Sequence, residues 1–134
     1  MTGILVDSNV ILDVVENDPV WADWSENQLE LFSDSHPLLI NPIIYCEVSI
    51  GFERIEDLEN VLNGMGFKML QIPREALFLA GKVFLSYKKQ KGTKYSPLPD
   101  FFIGAHAAVE DLPLLTRDTR RYGTYFPSVK LISP

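Results

Sequence analysis

The stretch GILVDSNVILDVVE, residues 3–16, decides the fold. Gly3, Ile4, Leu5 and Val6 form an unbroken apolar run, the pattern of a short strand covered on both faces, as in a parallel sheet. From Ser8 to Val15 the apolar residues take helical spacing, so Asp7 stands at a strand-to-helix junction. A carboxylate there is either a helix cap or a functional group at the carboxyl end of a parallel strand.

Working outward, the same alternation repeats. Short apolar runs predict further strands at 38–40, 67–72, 114–116 and 129–132. A polar and aromatic helix is expected over 21–32, and Pro42 stands at the first position of another, with Ile43, Ile44, Val48 and Phe52 as its apolar stripe. Residues 55–62 predict a helix stopped by Gly64 and Gly66, and Pro73 starts a long one carrying Ala76, Ala80, Val83, Phe84 and Tyr87 at a 3.6-residue period. Pro97 and Pro99 introduce a helix over 100–109. Strands alternating with helices predict an α/β fold, a mostly parallel sheet with helices on both faces and ligands outside the carboxyl ends of the strands.

The length of 134 residues is that of one domain, expected over 1–134, and no internal repeat or low-complexity tract divides it. Hydrophobic residues make up 46 % and charged ones 22 %, too apolar a balance for disorder. No apolar run approaches the ~20 residues that span a bilayer and no signal-peptide pattern opens the chain, so no membrane partner and a cytoplasmic location are expected. The single cysteine, Cys46, lies in an apolar segment and is expected in the core.

Three more acids occupy comparable junctions. Glu47 interrupts NPIIYCEVSIGF, Asp100 opens the helix in LPDFFIGAHAAV, and Asp118 follows a strand in LLTRDTRRY. Singly, Asp7, Asp100 and Asp118 read as a cap, a dipole-complementing first-turn acid and a turn former. Together all four fall at one edge of the expected sheet. Four gathered carboxylates repel one another and raise their own pKa values unless hard cations neutralise them, and oxygen-only ligands suit Mg²⁺ or Mn²⁺. The net charge of −6 at first argues against a phosphate partner, but these four acids equal most of it.

Basic residues flank that edge. Lys88, Lys89, Lys91 and Lys94 form one cluster, and Arg117, Arg120 and Arg121 surround Asp118, where they are candidates for contacts to a nucleic-acid backbone. Asn9 and Thr116 can hydrogen-bond to the acids or their water, or simply complete a helix cap and a strand. His106 lies six residues beyond Asp100, turned about 120° away on the same helix, and is a poor co-ligand. Asp13 is turned similarly from the first turn of its helix and is read as surface or supporting. Gly104 and Ala107 share the Asp100 face, where small side chains permit close packing.

VDSNVILD, YCEVSIGFERIEDLE, LPDFFIGAHAA and LLTRDTRRY, in this order and spacing, resemble the motifs of PIN-domain nucleases, and among those the VapC-type toxins of bacterial toxin–antitoxin pairs. The resemblance runs from Gly3 to the last strand. It implies a three-layer α/β/α sandwich, Mg²⁺- or Mn²⁺-dependent endoribonuclease activity through metal-activated water, frequent homodimerisation and inhibition by a small antitoxin. Asp7, Glu47, Asp100 and Asp118 match the acidic quartet, and Thr116 matches the hydroxyl residue beside the last acid. Ser8 stands where threonine is more usual. Trp21, Trp24, Leu29 and Phe32 either expose an apolar surface for the groove that would take an antitoxin segment or simply pack on the sheet. The other readings are an aspartyl phosphotransferase, against which stand the lack of an acid next to Asp7 and of a lysine after residues 114–116, and a non-catalytic binding domain on the same fold.

Overall fold

The computed structural model describes residues 3–94 and 98–134; the expected helix signal at Pro97 lies outside the described residues. At the centre is a five-stranded, wholly parallel sheet in the order β3-β2-β1-β4-β5. Its strands are β1 (Ile4–Val6), β2 (Leu38–Ile40), β3 (Lys68–Met69), β4 (Leu114–Leu115) and β5 (Leu131–Ile132). Between them run α1 (Ser8–Val15), α2 (Ala22–Ser33), α3 (Pro42–Val48), α4 (Ile55–Gly64), α5 (Arg74–Lys89), α6 (Pro99–Val109) and α7 (Arg120–Tyr125), completing a three-layer α/β/α sandwich.

The strand order reverses at β1. The chain builds outward through β2 and β3 on one side, then returns to lay β4 and β5 on the other. In open parallel sheets this switch opens a crevice beyond the strand ends. β1 pairs with β4 in the register Leu5↔Leu114 and Val6↔Leu115, so Asp7 and Thr116 are the first residues beyond each strand on the two sides of that crevice.

Local chemistry explains the elements. Ile4, Leu5 and Val6 are at most 1 % exposed, as an apolar run in a covered strand must be. Asn41 caps α3, its Oδ1 accepting from Ile44 N–H at 2.9 Å, and Pro42 follows at the position where a missing N–H costs nothing. Gly66, at φ 77°, ends the turn after α4: Gly66 N–H donates to Asn63 O and Phe67 N–H to Leu62 O, a Schellman closure that aims the chain into β3.

The structure shortens some expected elements. The run 67–72 pairs as a strand only at Lys68–Met69, with Leu70 N–H still donating to Ile40 O, because β2 offers three residues to pair with. The run 129–132 likewise pairs over Leu131–Ile132 against a two-residue β4. The stripe after Pro42 does not stay α-helical to Phe52: the chain tightens to a 3₁₀ turn over Ser49–Gly51, where a Cβ on Gly51 would lie 2.9 Å from Leu12 Cδ2. Helix α7 has no counterpart in the sequence expectation.

Burial overturns one expectation and decides another. Cys46 is exposed, because Ile44 and Val48 define the buried face of α3 and a residue two positions from each points about 200° away. Of the two readings of Asp13, surface or supporting, burial removes the first: it is 3 % exposed, where α1 packs against α2. Of the aromatic set on α2, Leu29 is buried and Trp21, Trp24 and Phe32 are half-buried, so that helix offers less free apolar surface than its sequence suggests. No helix among the described residues is long and apolar enough to cross a membrane.

Candidate active site

Asp7 answers the question raised at the strand-to-helix junction by filling both roles. Its Oδ1 accepts from Ser8 N–H at 2.8 Å and so caps α1. Its Oδ2 faces across the crevice, accepting from the Thr116 hydroxyl at 2.8 Å and the Tyr122 hydroxyl at 3.1 Å, with Asn9 Nδ2 at 3.4 Å.

Two hydroxyls connect Asp7 to other carboxylates, and a third connects it to the backbone of Asp118. The Ser8 hydroxyl donates to Glu47 Oε1 at 3.0 Å and lies 3.5 Å from Asp7 Oδ1. The Tyr122 hydroxyl lies 3.3 Å from Asp100 Oδ1. The Thr116 oxygen accepts from Asp118 N–H at 3.0 Å, tying the start of the last motif to β1. Asn9 completes this clasp, its Oδ1 accepting from Arg117 N–H at 3.3 Å and its Nδ2 lying 3.4 Å from Thr116 Oγ1. Asp118 Oδ1 accepts from Arg120 N–H at 3.1 Å, the turn-forming contact that begins α7.

The electrostatics follow from crowding. Burial, reinforced by the charges of Asp100 and Glu47, pushes the Asp7 carboxyl up to about 6 despite its hydrogen bonds from Thr116 and Tyr122. Glu47 is raised by burial and by Asp100, and Asp100 by burial and by Asp118, with Arg121 pulling in the opposite direction. Burial beside these carboxylates drives the Tyr122 phenol well above its usual range.

A cleft of about 610 Å³ opens beside the acids, lined by Asp100, Asp118, Arg120, Arg121, Thr124 and Tyr125. The Arg121 guanidinium carbon lies 5.9 Å from the Phe101 ring centroid. Arg117 is directed elsewhere: its Nε and Nη2 donate to the two oxygens of Asp13 at 2.7 and 3.0 Å, while its guanidinium carbon lies 5.2 Å from the Trp21 ring centroid. Lys88 and Lys89 stand exposed at the end of α5, where Lys88 Nζ donates to Gly92 O at 2.9 Å. His106 is remote in its contacts, its Nδ1 lying 3.1 Å from Asn41 Nδ2 in the interior.

The architecture is matched elsewhere. The sequence profile of the PIN domain aligns with residues 4–127, from β1 to beyond α7. The chain belongs to the PIN domain family. Among solved structures, this PIN domain is similar to a chain of VapBC2 from Rickettsia felis bound to a promoter DNA fragment, at 18 % identity and a TM-score of 0.75, covering 98 % of each chain. It is also similar to a chain of a toxin–antitoxin complex from Klebsiella pneumoniae, at 22 % identity and a TM-score of 0.70, with 98 % of each chain covered. DNA-bound VapBC from Salmonella typhimurium gives 19 % identity and a TM-score of 0.71, covering 99 % of this chain and 98 % of that one. No curated protein sequence matches this PIN domain significantly.

The donor chemistry of the site fits a hard divalent cation. Every side chain hydrogen-bonded to Asp7 here offers oxygen or amide groups, no Cys or His is among them, and burial with mutual repulsion raises the carboxyls of Asp7, Glu47 and Asp100, a condition that a hard cation relieves. The fit is one of chemistry and not of a closed cage, for among the described residues no three Asp, Glu, His or Cys side chains stand in ligating geometry. Tyr122 is the site residue that sequence reading missed. Its one signal is its place four residues after Asp118, which faces the site only once α7 is known to be a helix.

Proposed function

We propose that this PIN domain, acting as a single unit over residues 1–134, is a Mg²⁺- or Mn²⁺-dependent endoribonuclease of the cytoplasm, the VapC-type toxin of a toxin–antitoxin pair. The observation that carries this reading is the tie from Asp7 through one hydroxyl each to the Glu47 and Asp100 carboxylates and to the backbone N–H of Asp118, beside a cleft that Asp118 lines with Arg120 and Arg121. The Klebsiella neighbour is described as a toxin–antitoxin complex and the Rickettsia and Salmonella ones as VapBC assemblies, which supports an antitoxin partner for this chain as well. Leu77, Phe78 and Leu85 expose an apolar face on α5, which favours a homodimer.

Asp7, Glu47, Asp100 and Asp118 would hold the cation. A divalent ion bound there supplies Lewis acidity toward water and toward the scissile phosphodiester. Thr116 and Asn9 fix the orientation of the Asp7 carboxylate, and Ser8 that of Glu47. Arg120 and Arg121 place cationic forks along the cleft, where they would take the RNA backbone. Arg117 stays with Asp13, and Lys88 and Lys89 extend the positive surface for longer substrates. An attacking aspartyl nucleophile is a poorer account, since Asp7 is 3 % exposed with both oxygens hydrogen-bonded.

RNA and single-stranded DNA of the same sequence, incubated with purified protein, test the reading. RNA should be cut with Mg²⁺ or Mn²⁺ present, spared in chelator and cut again on adding excess metal. Asp100→Asn should lose on the order of 10²–10³ in rate, the usual cost of removing one electrostatic group from a reacting centre. Undiminished cutting in chelator, or a fully active Asp100→Asn variant, would remove the acids from the chemistry.

A further inference from the structure

Tyr122 is fully buried, yet its hydroxyl sits between two carboxylates, 3.1 Å from Asp7 Oδ2 and 3.3 Å from Asp100 Oδ1. Filling the space requires only the ring. A phenylalanine would occupy the same volume without placing a desolvated hydroxyl beside two acids, so the oxygen has its role among the acids and not in packing. The two acids depend on it unequally. Asp7 is also held by Ser8 N–H and the Thr116 hydroxyl, whereas among the described residues the hydrogen bond to the Asp100 carboxylate comes from Tyr122. The phenol has one proton to share between the two oxygens, so it joins Asp100, on the first turn of α6, to Asp7 at the end of β1. The ring itself is fixed by the docking of α7 on α6, where Phe126 packs so closely that a Cβ on Gly104 would lie 2.3 Å from its ring.

We propose that Tyr122 is a positioning residue whose hydroxyl sets the separation and orientation of Asp7 and Asp100, and thereby the affinity of the site for a divalent cation. This rests on the nuclease reading, in which those two acids hold the metal. Outer hydrogen-bond partners of metal ligands characteristically govern affinity over a 10- to 100-fold range when removed. Asp100, with the phenol as its tether, is the acid that Tyr122→Phe releases.

Mn²⁺ binding, followed by calorimetry and by the loss of the free-ion paramagnetic resonance signal, tests the inference on the wild type, Tyr122→Phe and Asp100→Asn. The wild type should bind, Asp100→Asn should bind far more weakly, and Tyr122→Phe should fall between them at about tenfold weaker than wild type. The Tyr122→Phe protein should regain most of its cleavage rate in excess metal, as a loss of affinity permits and a collapsed site does not. Wild-type affinity in Tyr122→Phe, with Asp100→Asn still impaired, would overturn the role of Tyr122 and leave the nuclease reading standing. Failure of the wild type itself to bind would overturn both. Near-UV circular dichroism reports whether Tyr122→Phe keeps its fold. A second measurement uses the unaltered protein: with ¹³Cζ-labelled tyrosine, the Tyr122 resonance should move during a Mg²⁺ titration with the same midpoint as binding, and a stationary resonance would overturn the proposal.

Discussion

Asp7 carries a charge in a place where water cannot reach it, and the consequence is measurable without any substrate. Its carboxyl is raised from 3.8 to about 6, chiefly by burial, so the folded protein holds the proton more tightly than the unfolded chain does. The stability that this proton confers is complete below 3.8 and disappears as the pH rises through 6. At pH 7 in chelator the charged group therefore costs the fold about 3 kcal/mol, at 1.36 kcal/mol per pH unit. Asp7→Asn keeps the cap from Ser8 N–H and can donate to Thr116, so in urea denaturation it should be more stable than wild type at pH 7, by up to about that amount, and the gap should close by pH 4. His106 moves the opposite way. Asn41 Oδ1 is committed to Ile44 N–H, so its Nδ2 must donate to His106 Nδ1, leaving the ring proton on a buried Nε2 that meets no partner among the described residues. Burial lowers this imidazole below 6.5, only partly opposed by Glu110, so its contribution to stability is present above 6.5 and lost as the pH falls toward the folded value. Nitrogen-15 spectra should find the neutral His106 ring protonated at Nε2 and its titration displaced below that of a free imidazole.

At the scale of elements, the sequence made the sheet and most helices legible because each declares itself locally. An apolar triplet such as Ile4-Leu5-Val6 has no exposed face to spare, and Asn41-Pro42 marks a helix start with both a cap and a pre-set φ. From the sequence, Asp7, Asp100 and Asp118 could be placed at or beside such boundaries, while Glu47 stood out only as an acid within an apolar segment. Helix α7 declared nothing. Its six residues include a glycine and two arginines with no apolar period, and it is held by what Tyr122 and Phe126 touch elsewhere in the chain. The inward turn of Arg117 was hidden for the same reason: its partner Asp13 is 104 positions away. Gly104 could be read only in part, as a small residue permitting close approach, because the neighbour it admits is Phe126 on a different element. Gly104→Ala should therefore destabilise by about 1–3 kcal/mol by overpacking, against a helix-propensity gain of ~1 kcal/mol, and thermal unfolding with a near-wild-type midpoint would show that Phe126 yields freely.

For the molecule as a whole, crowding of acids at one sheet edge makes stability depend on what occupies that edge. A ligand that binds only the folded state stabilises it by about 2.7 kcal/mol at a hundredfold excess over its dissociation constant. Millimolar Mn²⁺ or Mg²⁺ should accordingly raise the melting temperature of the wild type, sodium chloride of equal ionic strength should not reproduce the shift, and Asp7→Asn should respond less than wild type. Equal responses to both salts would reduce the effect to general screening of the net charge of −6.

The switch in strand order has a further consequence for a chain made from its N-terminus. Of the five strands β1 is made before the others, and β2 can cover one of its edges early, but the other edge waits for residues 114 and 115. The bonds that assemble the acids span comparable intervals, 107 and 109 residues from Asn9 and Asp7 to Thr116, and a longer one of 115 from Asp7 to Tyr122. The acidic centre is thus assembled late, from stretches 107 to 115 residues apart in the chain. A nascent chain halted before α7 can join Asp7 to Glu47 through Ser8 but lacks the Tyr122 hydroxyl that joins Asp7 to Asp100, so the acidic centre stays incomplete until α7 has been made.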